Sequence, residues 1–328
     1  MSPGDPRQTG PFFPSTSGRA GARLPRTPDR VEACAPPHAE RTTMTTTMET
    51  SDVEAGGFRI RLNRAGPRTG EAILFLHGSG PGATGLSNYA ATVPAFADDY
   101  DCLVIDQVGW GDSSHPAELP PSGRVRQLVL SNLALLDALG LDRVHLVGNS
   151  LGGVVALNML TAAPERIGKV VGMGAGGGGN TAPTGELLKL IEFYNDPTLE
   201  SMKQLISYML YDPDLFGAEI DAIARDRLET ALRPDVRRSH LLTFGLPGPG
   251  PGLPGLRVPE TSLRRIDNDV LLVHGREDSV VPAESSEWLA RRIPNARLHV
   301  VPHCGHWAQI EQADRFVQLS TLFLRGRI

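Results

Sequence analysis

The sequence is poor in cysteine. Cys34, Cys102 and Cys304 are the only three in 328 residues, and they lie far apart. No paired spacing exists, which excludes a disulfide framework and a cysteine-based metal site and suits a reducing compartment. The chain also lacks any run approaching the roughly 18 apolar residues of a membrane helix. It has no excess of positive charge: the formal net charge is −5. Nucleic acid and anionic membrane surfaces are therefore not expected as partners. What remains, with 40% hydrophobic and 21% charged residues, is the composition of a globular protein long enough for one large domain and a modest insertion. The chain reads as soluble and cytoplasmic.

Residues 1–50 differ from the rest. They hold eight of the 27 prolines, six arginines and no lysine, and they close on Thr42-Thr43-Met44-Thr45-Thr46-Thr47-Met48. Such a segment buries too little apolar surface to offset its ordering entropy, so a disordered tail is expected. It has no apolar stretch of the secretory type. Its composition also fits translation from an upstream start, with Met44 or Met48 as the alternative beginning.

From Phe58 the pattern becomes strands alternating with helices. Short apolar runs at Ala72–Leu76, Cys102–Ile105, Val144–Val147, Val170–Met173, Val270–Val273 and Leu298–Val301 are bounded by glycine, proline or charge, as buried parallel strands are. Helical stretches fall at about 124–139, 151–163, 283–292 and 310–325, the first ending at Gly140. Residues 180–262 interrupt this rhythm with helical segments and no strand, then the Gly/Pro run from Gly245 to Gly252. The expected architecture is an α/β-hydrolase fold: a mostly parallel sheet flanked by helices, with a core in two parts (51–179 and 263–328) and an inserted helical lid (180–262).

The strongest chemical signal is Gly148-Asn149-Ser150-Leu151-Gly152, after one apolar run and before a helical pattern. Strand–turn–helix is the context a nucleophile elbow requires, and the helix N-terminus is directed at developing negative charge. The base must be a histidine. His306, in Cys304-Gly305-His306-Trp307 after the last strand, fits best, with His303 as its near competitor. The acid is expected between nucleophile and base in chain order: Asp278 in Gly275-Arg276-Glu277-Asp278, with Glu277 as the alternative. Asp106 and Asp112 precede the nucleophile and are read as bracing a turn. His274 lies inside a strand and is read as packing.

Acyl transfer also needs donors for an oxyanion. The loop His77-Gly78-Ser79-Gly80-Pro81-Gly82-Ala83 follows the first apolar run. Its Ser79 N–H, with that of Leu151, would form the hole, and His77 would support the loop. A phosphate-cradling role fails, because no Lys-Ser/Thr follows the glycines and the G-x-G-x-x-G spacing is absent.

Together these motifs resemble the meta-cleavage-product hydrolases, carbon–carbon bond hydrolases of bacterial aromatic and steroid degradation. The resemblance covers most of residues 57–326. It rests on the His77–Ala83 loop with Ser87-Asn88-Tyr89, on the elbow through Gly153, on Pro164-Glu165-Arg166-Ile167-Gly168-Lys169, and on Cys304-Gly305-His306-Trp307-Ala308-Gln309. It implies cofactor-free, metal-free hydrolysis of 2-hydroxy-6-oxohexa-2,4-dienoates to a 2-hydroxypenta-2,4-dienoate and a carboxylic acid. In that chemistry Gly78, Gly80, Asn88, Asn149 and Trp307 match residues lining the site. Arg227, seven residues before Pro234, matches a lid arginine that holds the substrate carboxylate; Arg225 and Arg233 compete for that role. The implied partner is a small anionic dienoate, with a homo-oligomer left open. The Gly/Pro run replaces the lid sequence expected there, so the group on C6 of the substrate is not legible. An esterase or lactonase with the same triad, and a ligand-sensing receptor on a hydrolase scaffold, are the alternatives.

Overall fold

A computed structural model describes residues 48–179, 183–245 and 256–328. The expected tail through Thr47, and the Gly/Pro run from Leu246 onward, lie outside the described residues. Eight strands form one sheet: β1 (Glu49–Ala55), β2 (Phe58–Ala65), β3 (Ala72–Leu76), β4 (Asp101–Ile105), β5 (Val144–Asn149), β6 (Ile167–Met173), β7 (Val270–Gly275) and β8 (Ala296–Val301). Their order is β1-β2-β4-β3-β5-β6-β7-β8. β2 runs antiparallel to β1 and β4; every pairing from β4 to β8 is parallel.

The helices are α1 (Gly85–Tyr89), α2 (Gly123–Ala138), α3 (Leu151–Ala162), α4 (Gly185–Ile191), α5 (Leu199–Met209), α6 (Glu219–Leu232), α7 (Pro234–Phe244), α8 (Glu260–Leu263), α9 (Glu284–Ala290), α10 (Ala308–Glu311) and α11 (Ala313–Leu324). Every residue of β3, β4, β5 and β7 is buried. That follows from helices on both faces. Alternate side chains of β3 serve two cores: Leu74 and Leu76 pack with α2 and α3, Ile73 and Phe75 with Tyr89, Phe96 and Phe316. α2 ends as the sequence suggests, Gly140 taking φ +66° while Leu141 N–H returns to Leu136 O at 2.9 Å.

Two sequence expectations need correction. Composition places the tail through residue 50, yet β1 begins at Glu49. β1 is mostly exposed and carries Glu49, Asp52 and Glu54, so it has no apolar run to announce it; its stability comes from full pairing with β2. The sequence pattern suggests one helix over about 310–325, whereas Gln312 (φ −126°) separates α10 from α11. Between β6 and β7 the described residues contain only helices and turns, α4 to α8. These helices build a third apolar cluster, in which Met202, Leu205, Ile206 and Met209 meet Trp307 above the sheet.

Candidate active site

β5 passes straight into α3, and the turn between them is Ser150. Its backbone sits at φ +55°, ψ −117°, a conformation L-residues rarely adopt. Two features hold it there: Ser150 N–H donates to Met173 O at 2.8 Å, and α3 approaches β3 closely. A Cβ on Gly152 would lie 2.0 Å from Leu76 O, so only glycine permits that approach. Leu151 opens α3, and its N–H therefore has no acceptor within the helix. Strain at one polar residue, held by the surrounding fold, marks functional sites.

His306 and Asp278 reach this turn from two other loops. The loop after β7 carries Asp278, and the loop after β8 carries His306. His306 Nδ1 lies 2.7 Å from Asp278 Oδ2, and both residues are buried. Asp278 Oδ1 accepts the N–H groups of Val280 (2.9 Å) and Val281 (2.8 Å). Burial alone would push this carboxyl up; the His306 charge and the hydrogen bonds from His274 and His306 outweigh it and hold the acid well below the usual carboxylate range. Ser150 and His306 line the same cavity. The competitors stand elsewhere. His303 is exposed and rests on Tyr211, and Glu277 accepts from Cys304 N–H and Arg276.

The Gly-rich loop after β3 forms another wall. His77 is fully buried; its Nδ1–H donates to Gly78 O at 2.7 Å and its Nε2 accepts Gln107 N–H at 3.0 Å. Burial drives its pKa down to about 4, so the ring is a neutral strut. With the Gly78 carbonyl held on the His77 side, the trans peptide directs the Ser79 N–H the opposite way. Asp106 accepts from Gly85 and Asp112 N–H, bracing the neighbouring turn.

Arg227 of α6 lies against this loop, 5% exposed. A Cβ on Gly80 would stand 2.8 Å from its guanidinium. Its Nε donates to Pro81 O at 3.2 Å, and its Cζ sits 5.2 Å from the centre of the Trp307 ring. Among the described residues no carboxylate forms an ion pair with it. Arg233, by contrast, is neutralised by Asp112 (2.6 Å) and Asp235 (3.1 Å), and Arg225 is exposed. Asn88 and Asn149 line the same cavity; Asn88 Oδ1 is buried without a partner, while Asn149 Nδ2 reaches Met173 O and His306 O. The apolar wall is Leu187, Leu190, Met209, Val280 and Trp307. The free volume around Ser150 is only ≈20 Å³, room for about one water, so a larger ligand fits only if lining side chains such as Leu187, Leu190 and Met209 of α4 and α5 shift. A larger cleft, ≈660 Å³ on α6 and α7, contains no nucleophile and no acid. Among the described residues no cluster of three His, Cys, Asp or Glu could hold a metal ion.

Two residues of the site were not singled out from the sequence. Glu311 on α10 accepts the N–H of Gly305 (2.6 Å) and of Tyr211 (2.5 Å), tying the His306 loop to the segment after α5; His306 N–H also donates to Met209 O at 2.8 Å. His274, read as packing, stands 3.1 Å from Asp278. Their signals were spacing alone: an acid five positions after the histidine, and a histidine four positions before the acid.

Comparison with known proteins agrees with this geometry. Residues 73–319 match the family described as the alpha/beta hydrolase family. The chain is 37% identical over 289 residues to the 2-hydroxy-6-oxononadienedioate/2-hydroxy-6-oxononatrienedioate hydrolase of Burkholderia vietnamiensis, covering 84% of this chain and 94% of that protein. The 2-hydroxy-6-oxo-6-phenylhexa-2,4-dienoate hydrolase of Rhodococcus superposes with a TM-score of 0.80 at 34% identity, over 86% of this chain and all of that one. A meta-cleavage product hydrolase of Pseudomonas fluorescens superposes at 0.77 and 31% identity, over 85% and 98%. The fold, the shared length and the levels of identity together make this chain a member of the meta-cleavage-product hydrolases within the α/β-hydrolase family.

Proposed function

We propose that the protein is a cofactor-free serine hydrolase that cleaves the C5–C6 bond of 2-hydroxy-6-oxohexa-2,4-dienoates, with Ser150, Asp278 and His306 as its triad. The observation that carries the substrate class is Arg227: a buried cation without a carboxylate of its own, beside the nucleophile. A dienoate carboxylate supplies the missing charge through two parallel N–H···O bonds. Asn88 Oδ1, also unpartnered, is available to the 2-hydroxyl proton.

The steps follow from the residues. The dienol proton leaves O2 and a proton arrives at C5, giving the keto form with a saturated C5. His306 takes the Ser150 proton, Oγ attacks the C6 carbonyl, and the oxyanion falls to the N–H groups of Ser79 and Leu151. Collapse breaks C5–C6; the electron pair departs into the conjugated dienolate and a proton restores the 2-hydroxyl. Water, deprotonated by His306, then hydrolyses the acyl-serine and releases the carboxylic acid.

The walls also bear on the C6 group. Among the described residues lining the cavity, Arg227 is the one permanently charged side chain; the wall away from Ser150, His306 and the two asparagines is apolar, formed by Leu187, Leu190, Met209, Val280 and Trp307. We infer an apolar C6 substituent, since a second carboxylate would be desolvated without a cation. Two buried, unpaired cysteines, Cys102 and Cys304, fit a cytoplasmic site of action. The test is a panel of yellow dienoates with alkyl, phenyl and carboxyalkyl groups at C6, beside a neutral p-nitrophenyl ester. The proposal expects kcat/KM to rank phenyl and alkyl above carboxyalkyl, and all three above the ester. An ester turned over faster than every dienoate would replace this reading with an esterase.

A further inference from the structure

His274 closes β7 with no exposure at all, and the reaction as drawn does not use it. A buried imidazole costs free energy unless both nitrogens are engaged. Here both are. Nδ1 lies 2.7 Å from Ser286 Oγ on α9, while Nε2 lies 2.8 Å from Val281 O and 3.1 Å from Asp278 Oδ2. A carbonyl and a carboxylate are both acceptors, so Nε2 has to carry the proton. Nδ1 then accepts from the Ser286 hydroxyl. This assignment needs no choice of pH: either protonation state of the ring keeps a proton on Nε2.

Four donors thereby face the carboxylate. Oδ1 takes the Val280 and Val281 N–H groups, and Oδ2 takes His306 Nδ1–H while His274 Nε2–H stands 3.1 Å away, its proton shared between Oδ2 and Val281 O. His274 thus acts on the same oxygen that orients His306. We propose that His274 is a positioning residue for the reaction, its Nε2 proton fixing the rotation of the Asp278 carboxylate and sharing the Oδ2 charge that governs how strongly His306 binds a proton. Ser286 is the anchor that sets the tautomer. The inference rests on the triad reading of Asp278 and His306. The other titratable groups facing this carboxylate are Glu311 on α10 and the Cys304 thiol; burial pushes both upward, and the Asp278 charge adds to it.

Two substitutions separate positioning from packing. His274→Gln can place an amide N–H where Nε2 stood; His274→Asn reaches only toward Ser286 and leaves Oδ2 to His306 alone. His274→Asn should lower kcat roughly tenfold and move the acid limb of kcat/KM upward by about half a pH unit or more, because the oxygen loses a competing donor. His274→Gln should keep that limb at its parent position and recover turnover to within about threefold. Equal losses in both variants with an unmoved limb would overturn the proposal and leave His274 as core packing. Should either variant fail to fold, ¹⁵N-histidine spectra of the unmutated protein decide the matter. A protonated Nε2 on His274 across pH 6 to 9 supports it, and a bare Nε2 refutes it. Asp278→Asn is measured alongside. If it retains parent turnover, the triad reading itself fails; if it collapses while His274→Asn behaves as parent, only this inference does.

Discussion

Replacing Arg227 by glutamine should make the free protein more stable and the enzyme worse. Burial lowers the arginine from its ordinary 12.5 to about 10. At ~1.4 kcal/mol per pH unit that difference corresponds to about 3 kcal/mol held against the folded state. The sign follows from linkage: the folded value lies below the unfolded one, so the cost is fully present below pH 10 and fades only as pH rises toward 12.5. The contact over Trp307 and the bond to Pro81 O are lost in the variant, each worth about 0.5–1 kcal/mol. A net gain of about 1–2 kcal/mol remains, or roughly 2–4 °C in the thermal midpoint of a chain this size. Against a dienoate the same change removes the partner of a desolvated carboxylate, and kcat/KM should fall by about 2–4 kcal/mol, thirtyfold to a thousandfold. A neutral p-nitrophenyl ester has no carboxylate, so its slow hydrolysis should be unchanged. Arg227→Lys should recover only part of the dienoate loss, because an ammonium lacks the planar fork. A lower midpoint with equal losses on dienoate and ester would refute the reasoning and make Arg227 a structural member of α6.

Ser150→Ala and His306→Ala should each abolish turnover while the near-UV circular dichroism stays native, and the double variant should be little worse than either, since the pair acts as a unit. Separate losses that multiply would contradict this. Acid should destabilise the fold above the carboxylate range. His77 and His240 are buried and driven down to about 4, so the unfolded chain takes up their protons first, and stability drops as pH falls from about 6.5 to 4, by up to about 3 kcal/mol for each. An unchanged urea midpoint between pH 7 and 4.5 would count against it. Glu311→Ala cuts the two backbone hydrogen bonds that join the segment after α5 to the His306 loop, and should cost about 2–4 kcal/mol in urea unfolding together with turnover.

The strands most readily read from the sequence are those buried on both faces: β3, β4, β5 and β7 carry short apolar runs because helices cover both sides of the sheet there, while the half-exposed edge strand β8 shows one only in part. The elbow is legible because Gly148 and Gly152 bracket a serine between such a strand and a helix. β1 could not be read that way: it pairs along its whole length with β2 yet buries almost nothing. β2 alternates Phe58, Ile60 and Leu62 with arginines, a half-buried pattern that a search for continuous runs passes over. The site divides along the same line. Ser150, Asp278 and His306 are announced by local context. Arg227 is not, since arginines surround it at 225 and 233; the resemblance selected it, and its burial beside an unfilled cavity gives the physical reason. His274 and Glu311 have only spacing to mark them, four positions before the acid and five after the histidine, and the bond from Tyr211 to Glu311 joins segments 100 residues apart.

The central claim is that Ser150 drives C5–C6 cleavage of an anionic dienoate, and product stoichiometry tests it most directly. Incubated with 2-hydroxy-6-oxo-6-phenylhexa-2,4-dienoate, the unmutated protein should bleach the yellow chromophore over many turnovers and release one benzoate and one 2-hydroxypenta-2,4-dienoate per substrate, while Ser150→Ala releases neither. A chromophore that persists with the unmutated protein, or products that form equally with Ser150→Ala, would contradict it.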